Sequence, residues 1–458
     1  MMKVILTHGY FLHEDAVESE VMKPYPPLGL LFLSAWLKKN EIPNTVIDTT
    51  FLKIEELKDI FEQKQPEIIG IYSNLMTRAN AIQLIGFIRK HNVLHNTRII
   101  IGGPDARCHA ENYLSEGADF IIPGEGEVTI TELIRALKNG DTDSIPMIPG
   151  LFIWNNNCKM EFTGERKLMN LNGIPAPAYD EINVETYRRH WLERHGYSSM
   201  NVSTMRGCPY SCNWCSKSVF GNVVRRRDAE SVVEEMSQLK QLYNPDQLWF
   251  TDDVFTISNK WLLDFTHEID KRDLDLPYEC ISRSDCMDYQ TLELLKQSGC
   301  RKIWIGAESG SQDIIERMNR KINIAHTEKL MVKIKSFGIS VGIFIMLGYH
   351  GEKKKDIVKT AQFLKKVLPD DLTIGLSYPI NGTSYFQTIE PFFKQPYDWK
   401  SGSERTIRFK RSYSERFYRF ATRYLHNIVA FEKERTGTRK WIKLIKAMIS
   451  RGYILFFN

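Results

Sequence analysis

Three cysteines stand close together in the segment MRGCPYSCNWCSKSVFG, residues 205–221. Cys208, Cys212 and Cys215 are spaced by four and then three residues, in a chain of 458 residues that has eight cysteines. Clustered thiolates bind metals, and three of them fit an iron–sulfur cluster, which usually takes four thiolate ligands. With three protein ligands, one iron would stay open to a substrate or cofactor.

Spacing alone leaves three other roles open for these thiols: a structural zinc site, a disulfide, or small buried side chains on one helix face. Pro209 disrupts a helix interior, and Ser211 and Asn213 favour a loop. A structural zinc site usually shows a second pair of ligands, and none stands nearby in the sequence. Cysteines without an export signal are expected to be reduced. The pattern therefore favours a metal cluster or catalysis.

Apolar runs alternate with helical patterns over the first 140 residues. These runs are rich in Ile and Val, which predicts parallel strands buried on both faces. They occupy residues 3–9, 45–50, 68–74, 98–103 and 119–124. Five βα units predict a doubly wound, flavodoxin-like or Rossmann-like α/β domain over residues 1–140, with ligands at the carboxyl ends of its strands.

A second alternating series covers residues 196–390. Its predicted strands occupy residues 201–207, 247–253, 278–285, 302–310, 340–349 and 372–380. Six βα units predict a partial (βα)6 barrel of the TIM type, with its active site at the carboxyl ends of the strands. The cysteine segment directly follows the first of them. Proline-rich residues 141–195 predict a linker with a small hairpin at WNNNCKM, and residues 391–458 predict a basic helical tail.

The tail carries most of the positive charge. The net charge is +5, yet from residue 400 onward 15 Lys and Arg stand against 4 Asp and Glu. Such an excess fits an acidic partner, an anionic membrane surface, nucleic acid or a solvated amphipathic helix. Apolar residues at spacings of three and four predict one apolar helix face. They are Phe417, Phe420, Tyr424, Ile428 and Phe431.

No secretory signal and no membrane-spanning run is visible in the sequence. We therefore expect a cytoplasmic protein. Contact of the basic tail with a membrane surface stays open, and nucleic acid is not expected, because no RNA-binding module is visible.

The segment CPYSCNWC has the C-x3-C-x2-C form of the radical S-adenosylmethionine (SAM) superfamily, with the usual aromatic residue, Trp214, before the last cysteine. The sequence resembles this family also in the strand that precedes the segment. The resemblance implies that Cys208, Cys212 and Cys215 hold a 4Fe-4S cluster whose fourth iron is chelated by the amino and carboxylate groups of SAM. One electron then cleaves SAM to methionine and a 5′-deoxyadenosyl radical.

Three further segments resemble SAM-binding parts of that family: FTDDVFT, SRSD and IGAESG. The resemblance implies SAM contacts from Trp214, Asp252, Arg283 and Glu308. In these roles Arg283 would hold the SAM carboxylate and Glu308 would accept from ribose hydroxyls. Helix capping by Asp252 and a rim salt bridge of Arg283 are the open alternatives. The carboxylate of Glu308 in an otherwise apolar strand needs a partner.

A doubly wound domain before such a barrel resembles the cobalamin-binding (B12) subfamily. Three segments carry this resemblance: YPPLGLLFLSAWLKKN, IGGPDA and PGEGE. Glycines let a bulky ring approach the backbone, and the amino end of a helix after PGEGE favours anionic groups. The resemblance implies cobalamin contacts from Pro26, Pro27, Leu28, Ser73, Gly102, Gly103, Gly124, Glu125 and Gly126.

The loop after the first strand, THGYFLHED, lacks the D-x-H-x-x-G pattern that supplies a cobalt ligand in other cobalamin domains. No histidine ligand to cobalt is therefore expected. His8 and His13 stay open as contacts of the corrin, and a solvated loop is the expected role of both.

The resemblance covers residues 1 to about 390 and implies methylation of an unactivated carbon through methylcobalamin. The substrate would be a small molecule, a lipid, a tetrapyrrole or a peptide held between the two domains, and the electron donor a flavodoxin or ferredoxin. Three alternatives stay open: a cyclase or rearrangement enzyme without net methyl transfer, a sensor or carrier that does not react, and a transfer-RNA-modifying enzyme.

Overall fold

The computed structural model of this protein describes residues 2–400, 402–434 and 436–456. The chain forms two compact units, each assembled from separate stretches. The first unit comprises Met1–Cys208, Ser216–Asp246 and Asp398–Thr406. The second comprises Pro209–Cys215, Gln247–Tyr397 and Ile407–Asn458.

The first unit is built on a seven-stranded sheet of strand order β2-β1-β3-β4-β5-β6-β7. Its strands are β1 (Val4–His8), β2 (Thr45–Ile47), β3 (Ile68–Tyr72), β4 (Arg98–Gly102), β5 (Phe120–Ile122), β6 (Phe152–Trp154) and β7 (Met160–Phe162). Strands β1 to β5 pair in parallel, as predicted, and the chain order reverses direction across the sheet between β1 and β3. Every residue of β1 is buried, which fits a sheet covered on both faces.

Helices of the first unit connect these strands. They are α1 (Ala16–Val21), α2 (Leu28–Lys39), α3 (Ile54–Lys64), α4 (Arg78–Lys90), α5 (Ala110–Ser115), α6 (Glu127–Asn139) and α7 (Val184–His195). The unit continues with β8 (Ser199–Val202), β9 (Met205–Arg206), β10 (Arg225–Arg226) and α8 (Ala229–Tyr243). Strand β9 precedes the three cysteines and β10 follows them, and the two strands pair in antiparallel orientation.

Residues 141–195 contain more regular structure than the sequence pattern predicts. The hairpin at WNNNCKM forms, and its strands β6 and β7 extend the sheet in antiparallel pairing. Helix α7 was not predicted, because its sequence is largely polar. It is capped by Asn183 and anchored by Trp191, whose side chain is buried and donates to the Pro24 carbonyl at 2.7 Å. The domain boundaries at residues 140, 195 and 390 stay predictions.

The second unit has five parallel strands in the order β15-β14-β13-β12-β11. These strands are β11 (Gln247–Phe250), β12 (Tyr278–Ser282), β13 (Cys300–Glu308), β14 (Ser340–Leu347) and β15 (Asp371–Leu376). The helices between and after them are α9 (Asn259–Lys271), α10 (Tyr289–Gln297), α11 (Gln312–Arg317), α12 (Ile324–Ser336), α13 (Lys354–Val367) and α14 (Ser384–Ile389). The predicted α/β class, with a doubly wound domain followed by a partial βα barrel, is confirmed.

The tail forms two helices, α15 (Glu415–Lys433) and α16 (Thr438–Phe456), that pack against each other. Helix α15 also packs on α13 and β15. On its predicted apolar face, Phe417, Tyr424 and Ile428 are buried, whereas Phe420 and Phe431 are partly exposed. None of the helices in the described ranges combines the length and the apolarity needed to cross a bilayer.

Candidate active site

The backbone around Cys208 is fixed by close contacts within the first unit. The Cys208 amide donates to the Gly221 carbonyl at 3.2 Å. Gly207 has a φ of +85°, and a Cβ there would lie 2.2 Å from the Val223 carbonyl oxygen. Only glycine fits this position, because other residues rarely adopt such a φ. The turn delivers Cys208, which is 8% exposed, at the end of β9.

Cys212 and Cys215 belong to the second unit and lie in a turn. The Cys215 amide donates to the Cys212 carbonyl at 3.2 Å. Asn213, between these two cysteines, is bonded to two other segments of the unit. Its amide donates to the Met318 carbonyl at 3.1 Å, and its carbonyl accepts from the Tyr385 amide at 2.9 Å. The segment is thus held as a loop, and the alternative of a buried helix face is wrong. Cys212 is buried and Cys215 is exposed.

The donor set of this loop fits an iron–sulfur cluster. All eight cysteines lie in the described part of the chain, and none forms a disulfide. The disulfide alternative is therefore wrong for the three clustered cysteines. Three thiols on one short loop supply three of the four ligands that such a cluster takes.

Two guanidinium groups face Cys212 within the second unit. Arg283 places Nη1 3.9 Å from the Cys212 sulfur, and Arg320 places Nη1 3.5 Å from the same atom. Arg283 is 1% exposed, and Asp285 fixes its plane by accepting from Nε and Nη2 at 2.9 Å each. The Arg283 guanidinium also stacks on Tyr210, 3.6 Å from the ring centroid. Two cations beside one sulfur offset the negative charge of a thiolate-ligated cluster.

Glu308 ends β13 in an unusual backbone conformation. Its φ is +61°, a left-handed value that is costly for a residue with a side chain and that clusters at functional sites. Burial raises the pKa of Glu308, whereas the positive charges of Arg320 and Arg283 lower it, and the net direction is upward. A Cβ at Gly306 would lie 2.5 Å from the Glu308 Oε1 atom, so this glycine makes room for the carboxylate.

Arg320 connects the separate parts of this site, and sequence analysis did not identify it. Its Nη2 lies 3.9 Å from Glu308 Oε1 and donates to the Gly306 carbonyl at 3.0 Å. Its guanidinium carbon lies 5.8 Å from the centroid of the Trp214 ring. An arginine in the turn after α11 gives no distinguishing signal in a single sequence. The fold alone brings it beside Cys212.

Asp252 lies directly after β11 and is buried, at 2% exposure. It does not cap the following helix α9, because Ser258 takes that role by accepting from the Trp261 amide at 3.3 Å. The carboxyl ends of parallel strands share one edge, and Asp252, Arg283 and Glu308 all stand at that edge of the second unit. Their predicted contacts with SAM stay predictions.

A cavity of about 300 Å³ opens at the carboxyl edge of the first unit's sheet, where the strand order reverses between β1 and β3. Such a switch point is where doubly wound domains bind ligands. Pro27 is the predicted cobalamin contact that lines it, and the other lining residues include Tyr10, Tyr25, Tyr72, Met76 and Arg405. Aromatic rings and polar side chains share the walls of this cavity, a lining that can hold one end of a large cofactor through both stacking and hydrogen bonds.

A second cavity of about 300 Å³ adjoins the amino end of α6. The predicted contacts Gly124 and Glu125 line it, together with Lys167, Lys217 and Phe220. Glu125 is held by two arginines of the first unit: its carboxylate lies 2.7 Å from Arg225 Nη1 and 3.3 Å from Arg206 Nη1. The Glu125 carboxylate is therefore already engaged in ion pairs within the first unit.

The other predicted cobalamin contacts support the loops of this edge. Ser73 is buried and shares a hydrogen bond of 2.6 Å with the Tyr113 hydroxyl. Gly103, next to Gly102, has a φ of +105°, and a Cβ there would lie 2.4 Å from the Ser73 carbonyl oxygen. The carbonyl of Pro26 accepts from the Asn201 side chain at 3.0 Å.

The last two predicted cobalamin contacts, Leu28 and Gly126, lie at the amino ends of helices. Leu28 begins α2 directly after Pro27, and Gly126 precedes α6. The nine positions thus lie around two cavities and the β3–β4 loops, and their contacts with cobalamin stay predictions.

The expectation of a solvated His8 is wrong. His8 is 4% exposed at the end of β1, because the loop after the strand folds back over it. Its Nδ1 accepts from the Tyr10 amide at 3.1 Å, and Nε2 lies 3.0 Å from Asp48 Oδ1. Both ring nitrogens are engaged within the domain, and the side chain also lines the cavity at the switch point. His13 is exposed, as expected.

A buried ion cluster of the first unit also escaped sequence analysis. Arg78, which is 1% exposed, donates to Asp105 at 2.9 Å and to both carboxylate oxygens of Glu404 at 2.8 and 2.9 Å. Burial alone would raise the pKa of Glu404, but hydrogen bonding from His109 and the charge of Arg78 lower it to about 2. Asp105, His109 and Glu404 also have the donor atoms and spacing of a metal site. In this structure Arg78 pairs with both carboxylates.

Two family models match the chain. The model of the radical SAM superfamily matches residues 202–364, and the model of the B12 binding domain matches residues 16–134. The first match contains the three cysteines and the Arg283 and Arg320 positions. The second contains strands β2 to β5 and Pro27 of the first cavity.

The chain is also similar to curated proteins over most of its length. An uncharacterised methyltransferase of Pyrococcus horikoshii is 29% identical over 383 residues, which are 82% of this chain and 80% of the relative. An anaerobic magnesium-protoporphyrin IX monomethyl ester cyclase of Rubrivivax gelatinosus is 22% identical over 404 residues, covering 85% of this chain and 70% of the relative.

Among solved structures, the cobalamin-dependent SAM radical enzyme OxsB, with aqua-cobalamin and SAM bound, has the same fold. Its TM-score is 0.76 at 16% identity, covering 100% of this chain and 72% of that one. The motif, the fold and the two family matches agree. The chain contains a radical SAM superfamily domain and a B12 binding domain, which together are the domains of an enzyme whose cofactors are a 4Fe-4S cluster, SAM and cobalamin.

Proposed function

We propose that this enzyme transfers a methyl group from SAM, by way of cobalamin, to an unactivated carbon of an organic substrate. The observation that carries the proposal is the pair of guanidiniums beside Cys212, with a buried carboxylate at the same strand edge. The relative named a methyltransferase supports the methyl-transfer part. When bound, the cluster, SAM and cobalamin supply the electron, the hydrogen abstraction and the methyl carrier.

The residues of the chain bind and orient these groups. Arg283, whose plane is fixed by Asp285, presents Nη1 toward the cysteine loop and would pair with the SAM carboxylate. Glu308 would accept hydrogen bonds from ribose hydroxyls, and Gly306 leaves the space for its carboxylate. Trp214 would cover the SAM side of the loop. Preorganised groups of this kind place the reacting atoms without further rearrangement.

The electron donor and the substrate are further parts of the proposal. A flavodoxin or ferredoxin would reduce the cluster. The substrate class stays open among small molecules, lipids, tetrapyrroles and peptides. The cytoplasmic location expected from the sequence stays a prediction.

A cyclase that uses cobalamin without net methyl transfer is the second candidate. The observation in its favour is the relative named as a magnesium-protoporphyrin IX monomethyl ester cyclase, which covers 85% of this chain. The methyltransferase relative has the higher identity, 29% against 22%. A methyl group labelled in SAM separates the two, because only a methyltransferase carries the label into the substrate.

The proposal is tested with protein purified without oxygen and reconstituted with iron, sulfide and hydroxocobalamin. We expect reduction to release 5′-deoxyadenosine from SAM, and a pool of candidate substrates incubated with trideuteromethyl-SAM to yield a product heavier by one labelled methyl. Release of 5′-deoxyadenosine with an unlabelled, altered product would contradict methyl transfer and support the cyclase. No release at all would exclude both and support a sensor or carrier.

A further inference from the structure

Helix α16 presents a large apolar face to solvent. Seven of its side chains are 44% to 83% exposed and recur at spacings of three and four, which places them on one face of the helix. They are Trp441, Ile442, Ile445, Met448, Ile449, Leu455 and Phe456. An exposed apolar patch of this extent on a folded domain marks an interaction surface.

The opposite face of α16 holds the helix on the second unit. Ala447, Ser450 and Ile454 are buried, and Tyr453 stacks on Phe420 of α15 with ring centroids 4.1 Å apart. The helix is therefore anchored by one set of side chains. The exposed set is not needed for that packing, so it is available for a partner.

The charge of α16 restricts the kind of partner. The helix has five cationic residues, Arg439, Lys440, Lys443, Lys446 and Arg451, and no acidic residue. At about 100° per residue, Lys446 and Arg451 border the exposed apolar face on its two sides, Arg439 and Lys440 lie further round, and Lys443 lies on the side that packs on the second unit. An apolar face with a tryptophan, bordered by lysine and arginine, is the pattern of helices that lie in the interface of a membrane.

A second copy of the chain fits this surface less well. Two such faces packed together would bring the flanking cations of both helices side by side, with no carboxylate of α16 to pair with them. Like charges at that distance repel. Anionic lipid headgroups supply the opposite charge directly, at about 1 kcal/mol per lysine or arginine near the surface.

We propose that α16 binds the surface of a membrane rich in anionic lipids. The apolar face from Trp441 to Phe456 enters the headgroup region, and the flanking lysines and arginines contact lipid phosphates. This is more specific than the contact of a basic tail left open by the sequence, because one helix face is assigned. The proposal goes beyond the catalytic one and stands without it, since vesicle binding needs neither cofactor nor substrate.

The test is flotation of the full-length protein with vesicles of phosphatidylcholine, with or without phosphatidylglycerol. We expect binding to vesicles that contain phosphatidylglycerol and weak binding to phosphatidylcholine alone. The double variant Ile445→Asp/Ile449→Asp should lose at least tenfold in affinity, because two carboxylates would enter the apolar layer. Lys446→Gln and Arg451→Gln, which alter the cations that border the apolar face, should each cost about fivefold.

The matched control is Val332→Asp, which alters a side chain 54% exposed on α12, away from α16. Its binding should equal that of the unchanged protein, and the thermal unfolding of all variants should show that they fold. An affinity for vesicles that is the same in Ile445→Asp/Ile449→Asp as in the unchanged protein would overturn the proposal. A stable dimer without lipid that the same two changes dissociate would overturn it as well, and would assign the face to a second copy.

Discussion

Arg320 is the side chain on which the geometry of the candidate active site most depends. It contacts the Cys212 sulfur, faces Glu308 and lies near the Trp214 ring, while its Nη2 donates to the Gly306 carbonyl. Cys212 and Trp214 are recognisable by motif, and Glu308 by its segment. Arg320 is not, because no spacing rule connects the turn after α11 with the cysteine loop.

We therefore expect Arg320→Met to lower the rate of 5′-deoxyadenosine formation about 10- to 100-fold, as loss of a partner that orients a metal ligand does. The charge beside Cys212 and the contact with Glu308 would both be lost. Bound iron and the rate of SAM cleavage are measured together. Arg301→Met at the other end of β13, an exposed side chain, is the matched control and should leave the rate unchanged. Equal rates in the two variants would contradict the role of Arg320.

Gly306 gives a second prediction at this scale. An alanine there would place Cβ 2.5 Å from Glu308 Oε1 and 2.6 Å from Arg320 Nη2, so one of these groups must move. Both atoms lie at the ends of flexible side chains, so the alanine would displace the carboxylate or the guanidinium at little cost in stability. We expect Gly306→Ala to raise the dissociation constant for SAM about 10-fold or more, measured by equilibrium binding. Gly375→Ala on β15, where no atom lies within 4 Å of the added Cβ, should bind SAM normally. Normal binding by Gly306→Ala would show that Glu308 is not a SAM contact.

At the scale of elements, the segment after β14 contains a buried acid. Glu352 is 1% exposed, and its Oε2 accepts from the Gly348 amide at 2.7 Å. Burial and the nearby charge of Asp356 raise the pKa of Glu352 to about 8, against the lowering effects of the Gly348 amide and Arg411. The native state therefore keeps a proton that the unfolded chain has already lost above its ordinary pKa of 4.5.

The consequence is a stability that falls as pH rises. Between pH 4.5 and about 8 the native state binds one proton more than the unfolded state, so the free energy of unfolding decreases by up to about 1.4 kcal/mol per pH unit. Glu352→Gln should remove this slope, and it should be the more stable protein at pH 8. Denaturant unfolding at pH 5, 6.5 and 8 measures it. Glu316→Gln, at an exposed position, should keep the slope; a slope retained by Glu352→Gln would refute the assignment.

The segment Asp398–Thr406 is held on the first unit by the Arg78 cluster. Glu404→Gln would leave Arg78 paired with Asp105 but would weaken its two buried hydrogen bonds to residue 404, which costs about 1.5–3 kcal/mol. We expect a lower free energy of unfolding and faster proteolysis within this segment, at neutral pH. The pKa of Glu404 is lowered to about 2, so its stabilising effect is present at neutral pH and lost only as pH falls toward 2. Glu111→Gln on α5, an exposed residue, should change neither quantity.

The same elements show what the sequence could predict. Continuous Ile and Val runs identified β1, β3 and β4, because buried parallel strands need apolar side chains on both faces. Helix α7 could not be predicted from the sequence, because one buried tryptophan and a cap stabilise an otherwise polar segment. The Arg78–Glu404 pair escaped, because 326 residues separate its members and no local pattern connects them.

At the scale of the whole molecule, one chain combines a doubly wound unit, which has a cavity at its switch point and ends its first stretch at Cys208, with a barrel unit that contains Cys212 and Cys215. One family match is to a domain that binds cobalamin and the other is to a domain that binds a 4Fe-4S cluster and SAM, and the relatives match across both. The tail adds a helix face that fits a membrane surface. The function of the enzyme thus depends first on whether the cysteine loop binds a cluster that acts on SAM.

The most direct measurement is the iron content and the reductive cleavage of SAM in anaerobically reconstituted protein, compared with Cys212→Ala. The account predicts about four irons per chain and steady release of 5′-deoxyadenosine in the unchanged protein. In Cys212→Ala both should be lost, whereas Cys158→Ala, which removes an exposed thiol outside the loop, should keep both. A Cys212→Ala variant that still binds the iron and cleaves SAM would contradict the account.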